Sequence, residues 1–159
     1  MLSDSTEIAS VEIGLDGMMR VERTTSGVLF HTNHYVDSDL SCLNRGRPAA
    51  SSLKRHEKIK DFLSRGEQFE LHDFIEISRS TDSGPDNSLW RTGGKPTSAR
   101  TLATWVVHQP SSGEGLLYLK LANPNREVRE YRLRLKDVFS GDAPLAGADN
   151  HIATVDLTP

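Results

Sequence analysis

The residues best suited to chemistry form one short run, His-Thr-Asn-His-Tyr at positions 31–35, directly after the apolar Val28-Leu29-Phe30. That apolar composition predicts a strand buried on both faces. Polar groups at the end of a buried strand are costly unless each finds a partner. A side-chain amide fixed at such a point can donate an N–H to an oxyanion. We predict that Asn33 is the centre of a site, with a turn asparagine that satisfies local backbone groups as the alternative.

A metal site is the second chemistry that this run suggests, because two histidines three residues apart can approach one ion. On a strand, however, positions i and i+3 point to opposite faces. No cysteine or acidic residue stands at a characteristic spacing for a third ligand, although Asp37 and Asp39 are near. We therefore predict no metal and no cofactor, and expect His31 and His34 to form hydrogen bonds that fix the Asn33 segment.

Three other residues are candidate nucleophiles. Cys42 is the single cysteine and could act with His31 or His34 as its base, but a small apolar side chain in a loop is the favoured interpretation. Neither Ser51 nor Ser52 lies in a Gly-x-Ser-x-Gly turn, so both are predicted to cap a helix.

The elements that would position these residues can be predicted from spacing. Ile8–Ile13 and Met18–Val21 flank Asp16-Gly17, which indicates a hairpin, and residues 28–30 would add a third strand to the same sheet. A helix is predicted at Ser51–Arg65, whereas the spacing at Glu67–Ser78 suits either a helix or, over Glu70–Ile77, a strand.

The second part of the chain is predicted to be a long loop followed by strands. Arg79–Arg100 is rich in small and polar residues, with Trp90 indicating that part of it packs. Thr101–His108 is apolar on both faces and predicted to be central in a sheet. Strands at 116–121 and 131–135 follow, and the fold class is therefore α+β.

Composition excludes several functional classes. The 159 residues carry a net charge of −3, which gives no electrostatic case for binding nucleic acid or an anionic membrane surface. No run approaches the roughly 18 apolar residues of a spanning helix. The first residues lack the pattern of a signal peptide, and one cysteine cannot form an internal disulfide, so we expect a cytoplasmic protein.

The run at 31–35 resembles the HTNH signature of the acyl-CoA:isopenicillin N acyltransferase family, which are cysteine-type N-terminal-nucleophile hydrolases. Further similarity covers roughly residues 7–124 in order: two strands ending in glutamate, a Ser-x-x-Arg helix start, and a late arginine before a Thr-Leu strand. The matching segments are residues 8–12 and 19–22, 51–55, and 88–91 with 101–104.

The resemblance implies roles for individual residues. Asn33 would be the oxyanion donor and Arg91 the active-site arginine that holds a substrate carboxylate or orients the nucleophile. Substrate-binding residues would be His31, Thr32, His34, Tyr35 and Arg55. Arg55 lies on the first turn of a predicted helix, however, and there a solvated surface charge is the favoured interpretation.

The resemblance also favours a helix at Glu67–Ser78, and it implies a fold and an incomplete site. The expected fold is part of a four-layer αββα sandwich, an antiparallel sheet with helices on one face, with residues 1–139 as the C-terminal half of the domain and 140–159 as a tail. Enzymes of the family carry their nucleophilic cysteine far upstream of the HTNH strand, and no cysteine precedes His31 here. We therefore expect that this half of the domain lacks the nucleophile.

A partner would then be needed. We expect an N-terminal half or companion subunit that carries the cysteine, or a homo-oligomer, acting on a small N-acyl substrate with acyl-CoA as a candidate donor. The alternative is a catalytically silent relative that serves as a binding or structural module.

Overall fold

A computed structural model describes residues 1–4, 6–44, 46–66 and 68–140. These residues form two three-stranded antiparallel sheets and three helices, which confirms the α+β class. The strands are β1 (Leu2–Ser3), β2 (Ile8–Ile13), β3 (Met19–Thr24), β4 (Ala103–His108), β5 (Leu116–Leu121) and β6 (Arg129–Arg134). The helices are α1 (Ala50–Leu63), α2 (Leu71–Arg79) and α3 (Leu135–Ser140). Within the described part of the chain, no helix is long and apolar enough to span a membrane.

The predicted hairpin is confirmed. β2 and β3 pair from Ile8 opposite Thr24 to Ile13 opposite Met19, so β3 runs three residues beyond the predicted end. The turn requires a left-handed backbone at Asp16 (φ 57°) and Gly17 (φ 78°), which aspartate and glycine tolerate better than other residues.

The predicted third strand at residues 28–30 is wrong. The segment forms no strand, and Val28 is 46% exposed instead of buried on both faces. Residues 28–30 instead line an apolar cavity beside Ile59 and Phe62 of α1 and Phe74 of α2. A short apolar run can therefore be anchored by helices without joining a sheet, and its periodicity alone does not distinguish the two outcomes.

Both predicted helices are confirmed, with different starts. α1 begins with Ala49 as its N-cap, so the prediction that Ser51 or Ser52 caps it is wrong. Ser52 is 1% exposed inside the first turn, and its hydroxyl has partners outside the helix. α2 begins at Leu71 because Glu70 and Asp73 form a capping box.

The second sheet has the order β4-β5-β6, so the prediction that residues 101–108 are central is wrong. β4 is an edge strand, and its Trp105 and Val107 are 67% and 51% exposed. The central strand is β5, whose Tyr118 is buried, and burial raises the pKa of that phenol to about 12.

The predicted long loop is confirmed between α2 and β4, but it is ordered by specific contacts. The backbone N–H of Trp90 donates to the Ser80 carbonyl at 3.0 Å, and Lys120 Nζ lies 4.9 Å from the centroid of the Trp90 ring. Lys58 of α1 pairs with Asp82 and lowers the pKa of that carboxyl to about 2. Of the predicted tail, Ser140 ends α3, and residues 141–159 lie outside the described residues.

Candidate active site

The run at 31–35 borders an open cleft of about 590 Å³ between the end of β2 and the start of α1. The five residues of the run line this cleft, together with residues of β2 and of the loop before α1, whereas the predicted Arg55 and Arg91 are not among its lining residues. The lining is His31, Thr32, Asn33, His34, Tyr35, Val11, Glu12, Ile13, Leu43, Asn44, Arg47, Pro48 and Ala49.

The far end of the run is fixed by two side chains that the sequence did not single out as site residues. The Glu12 carboxylate accepts the backbone N–H groups of Val36 and Asp37, both at 2.9 Å. Asn44 Oδ1 accepts the Tyr35 N–H at 2.8 Å, and its Nδ2 donates to the Tyr35 carbonyl at 2.9 Å. The Tyr35 hydroxyl in turn donates to the last carbonyl of β2 at 2.8 Å. Side chains thus pair the backbone groups of residues 35–37, as neighbouring strands would in a sheet.

The centre of the run is bound to α1 through Ser52. The Thr32 hydroxyl donates to the Ser52 carbonyl at 3.0 Å, and the Ser52 hydroxyl donates to Thr32 Oγ1 at 3.0 Å. His34 Nδ1 lies 2.9 Å from Ser52 Oγ. His34 Nδ1 also lies 3.1 Å from Thr32 Oγ1, and the donor in each of these two contacts depends on the tautomer of His34.

A second histidine, His56, packs against this segment through ring contacts. The His56 ring of α1 lies 4.8 Å from the Phe30 ring and 5.4 Å from the His34 ring, measured between centroids. Burial lowers the pKa of His56, and the neighbouring His34 and Lys60 lower it further. The neutral imidazole is therefore favoured at this position. His31, by contrast, is exposed, and its Nδ1 lies 3.2 Å from the Thr32 carbonyl oxygen.

Asn33 itself is exposed, and its one hydrogen bond among the described residues joins it to α1. Arg55 Nη2 donates to Asn33 Oδ1 at 2.7 Å, while Arg55 Nε donates to the Ser51 carbonyl at 3.2 Å. Arg55 is partly buried, so the solvated-surface interpretation does not describe it. Burial lowers the pKa of its guanidinium, and the charge of Arg91 lowers it further. The two predicted arginines thus share one electrostatic environment.

Arg91 is held by its backbone. Its N–H donates to Thr101 Oγ1, and its carbonyl accepts the Thr101 N–H, both at 2.9 Å. In the described ranges, neither Arg91 nor Arg55 forms an ion pair with a carboxylate. Arg91 nevertheless has an acidic neighbour: hydrogen bonds from Gly94 and Ser98 lower the pKa of the Asp86 carboxyl, and the charges of Lys95 and Arg91 lower it further.

Cys42 does not line this cleft, although its neighbours Leu43 and Asn44 do. Cys42 is exposed, and its sulfur lies 3.5 Å from the Asp39 carbonyl. No group of three histidine, cysteine or acidic side chains that could hold a metal ion occurs in the part of the chain that the structure describes.

The family model described as "AAT: Acyl-coenzyme A:6-aminopenicillanic acid acyl-transferase" matches residues 1–126, which include the whole cleft and both arginines. A search of curated proteins finds no match. The match spans more than half of the chain and agrees with the resemblance of the HTNH run and its ordered neighbours. This chain therefore belongs to the acyl-coenzyme A:6-aminopenicillanic acid acyl-transferase family.

Proposed function

We propose that this chain supplies the oxyanion donor and part of the substrate pocket of an amide hydrolase or acyltransferase. Asn33 Nδ2 would donate to the negative oxygen that develops when a carbonyl is attacked. The observation that carries this proposal is the Arg55–Asn33 hydrogen bond of 2.7 Å, because it occupies Oδ1 and leaves the NH₂ group for a ligand.

The remaining roles fall to residues of the cleft and to two arginines that are not among its lining residues. Arg91 would hold a substrate carboxylate or orient the nucleophile by paired N–H donors, an arrangement that suits a guanidinium. His31, Thr32, His34 and Tyr35 would shape the pocket around the acyl group, with Arg55 bound to Asn33 beside it. The substrate class is an N-acyl amine or a small peptide-like amide, with acyl-CoA as a candidate donor.

The nucleophile would come from another polypeptide segment, an N-terminal half or a companion subunit that begins with cysteine. Its α-amino group would take the thiol proton, and the thiolate would attack the amide carbonyl to form a tetrahedral oxyanion held by Asn33. Collapse would break the C–N bond, the amine would leave with the proton, and a thioester would remain. Water or an acceptor amine would then release the acyl group.

The same segment would complete the four-layer sandwich, with helices covering one side of each sheet. Trp105 and Val107 share one face of the second sheet with the half-buried Leu117, Leu119 and Tyr131. An apolar sheet face needs a cover, and a second sheet would supply it.

The test is reconstitution. The chain alone should hydrolyse no N-acyl amide, and mixing it with a cysteine-initiated first half of the family should give activity that survives Cys42→Ala. Activity of the chain alone that is lost in Cys42→Ala would overturn the proposed division of roles. Binding of that half without any turnover would favour the silent-module alternative.

A further inference from the structure

The first turns of α1 bind three consecutive residues of the HTNH run. Ser52 and Arg55 are three residues apart, so their side chains lie on the same side of the helix. Ser52 contacts Thr32 and His34, which flank Asn33, at 3.0 and 2.9 Å. Arg55 contacts Asn33 between them at 2.7 Å. We propose that Arg55 is a positioning residue that orients and polarises the side-chain amide of Asn33, while Ser52 binds the side chains on either side of it.

The orientation follows from the chemistry of the two groups. A guanidinium has only donors, so the Asn33 atom that faces it must be the carbonyl oxygen and not the nitrogen. Rotation of the amide by 180° would place two sets of N–H groups against each other. The Asn33 NH₂ group is thereby directed away from α1.

The polarisation follows from the charge of Arg55. A guanidinium remains protonated at any pH at which the chain is folded, and a hydrogen bond from a charged donor is stronger than one between neutral groups. The other acceptor of Arg55 is the neutral Ser51 carbonyl, and no described carboxylate neutralises the cation. Positive charge at Oδ1 withdraws electron density from the amide nitrogen, which makes the N–H groups better donors.

The catalytic consequence rests on the proposed function, but the orientation does not. It can therefore be measured on the isolated chain by ¹⁵N–¹H correlation of side-chain amides. Each side-chain NH₂ group gives a pair of signals, and the pair that belongs to Asn33 is identified by its absence from the spectrum of Asn33→Ser. Asn44, which is bound to Tyr35 at both ends of its amide, reports on whether the loop remains folded.

In the unmodified chain we expect the Asn33 pair to lie displaced from its position in the urea-unfolded chain. Arg55→Met should abolish that displacement and leave the Asn44 pair in place. Arg65→Met, which removes an exposed arginine just after α1, is the matched control and should move neither pair. An Asn33 pair that is unchanged in Arg55→Met would overturn the proposal. Movement of both pairs would overturn it too, since Arg55 would then support the loop as a whole.

Kinetics of the reconstituted enzyme separate this inference from the proposed function. Arg55→Met should lower kcat by about 10- to 100-fold with KM nearly unchanged, less than the loss of a whole oxyanion donor. If Arg55→Met abolishes the displacement of the Asn33 signals but leaves kcat unchanged, the positioning role of Arg55 stands and the oxyanion role of Asn33 fails. If kcat falls in Arg55→Met while the Asn33 signals remain displaced, Arg55 acts in another way and its proposed positioning role fails.

Discussion

At the scale of single residues, Asn33 is held through its neighbours. The side chains of Thr32 and His34 are bound to Ser52, and the Asn33 amide is bound at one end to Arg55. An exposed side chain normally samples several rotamers, and fixing one costs free energy on folding. Contacts with α1 offset that free energy in the folded chain before any ligand binds. A donor fixed in this way is preorganised, as oxyanion stabilisation requires.

Ser52→Ala tests this network. The Ser52 hydroxyl is buried, and its removal leaves His34 Nδ1 and Thr32 Oγ1 without that partner. We expect the free energy of unfolding to fall by about 1–3 kcal/mol in urea titration. Ser64→Ala, at the exposed end of the same helix, should change it by less than about 0.5 kcal/mol. Equal effects of the two variants would show that the Ser52 network adds no stability.

His56 predicts a pH dependence of stability. Because its pKa is lowered in the folded chain, the unfolded chain binds the proton more readily below about pH 6.5. The stability contributed by neutral His56 is therefore fully present above that pH and is lost as the pH falls towards the folded-state pKa. Urea midpoints between pH 5 and 8 should fall less steeply with acidification in His56→Gln than in the native chain. His72→Gln, an exposed histidine of α2, should keep the native slope, and identical slopes for all three proteins would contradict the assignment.

The roles suggested for residues 31–35 could be read from a short motif, but their partners could not. Glu12, Asn44 and Ser52 are ordinary residues at ordinary positions in the sequence, and only the fold brings them to the run. Ser52 looked like a helix cap because serine is frequent there, yet its hydroxyl binds another segment. Contacts between residues 9 to 25 positions apart carry no local signal.

At the scale of elements, the hairpin and α1 were predictable because turn residues and apolar spacing are local signals, whereas for α2 the spacing left helix and strand open and the family resemblance favoured the helix. The wrong assignments, residues 28–30 as a strand and β4 as a central strand, depend on what covers each side chain. Val28 and Trp105 are apolar but exposed. An apolar residue predicts a need for burial, but it does not say which segment will supply the cover.

The start of α2 offers a test at this scale. Asp73 Oδ2 accepts the Glu70 N–H at 2.8 Å within the capping box. Asp73→Ala should lower the free energy of unfolding by about 1 kcal/mol. Glu76→Ala, which removes an exposed acid from the same helix, should have a smaller effect. A larger loss in Glu76→Ala would show that the cap contributes little.

At the scale of the whole molecule, the second sheet has one apolar face that the described residues leave partly open. Trp105 is 67% exposed on it, whereas Trp90 is half-buried under Lys120. A contiguous open apolar face is unusual for a soluble monomer, and we propose that this one is an interaction surface. The proposed companion segment would cover it.

Fluorescence of Trp105 can follow that covering. In Trp90→Phe, the remaining indole should emit at the long wavelength of a solvated tryptophan, and emission should shift to shorter wavelength when the cysteine-led half binds. In the matched variant Trp105→Phe, the remaining Trp90 should show little change. A complex that forms on size-exclusion chromatography without any shift in Trp105 emission would place the partner elsewhere.

The most direct measurement of the central claim is steady-state kinetics of the reconstituted enzyme with Asn33→Ala. Removal of one oxyanion donor should lower kcat by about 10²–10³-fold with little change in KM, because the lost hydrogen bond strengthens only as negative charge develops. Asn33→Asp should be slower still, since a carboxylate repels that charge. A folded Asn33→Ala variant that keeps the native kcat would contradict the assignment of Asn33 as the oxyanion donor.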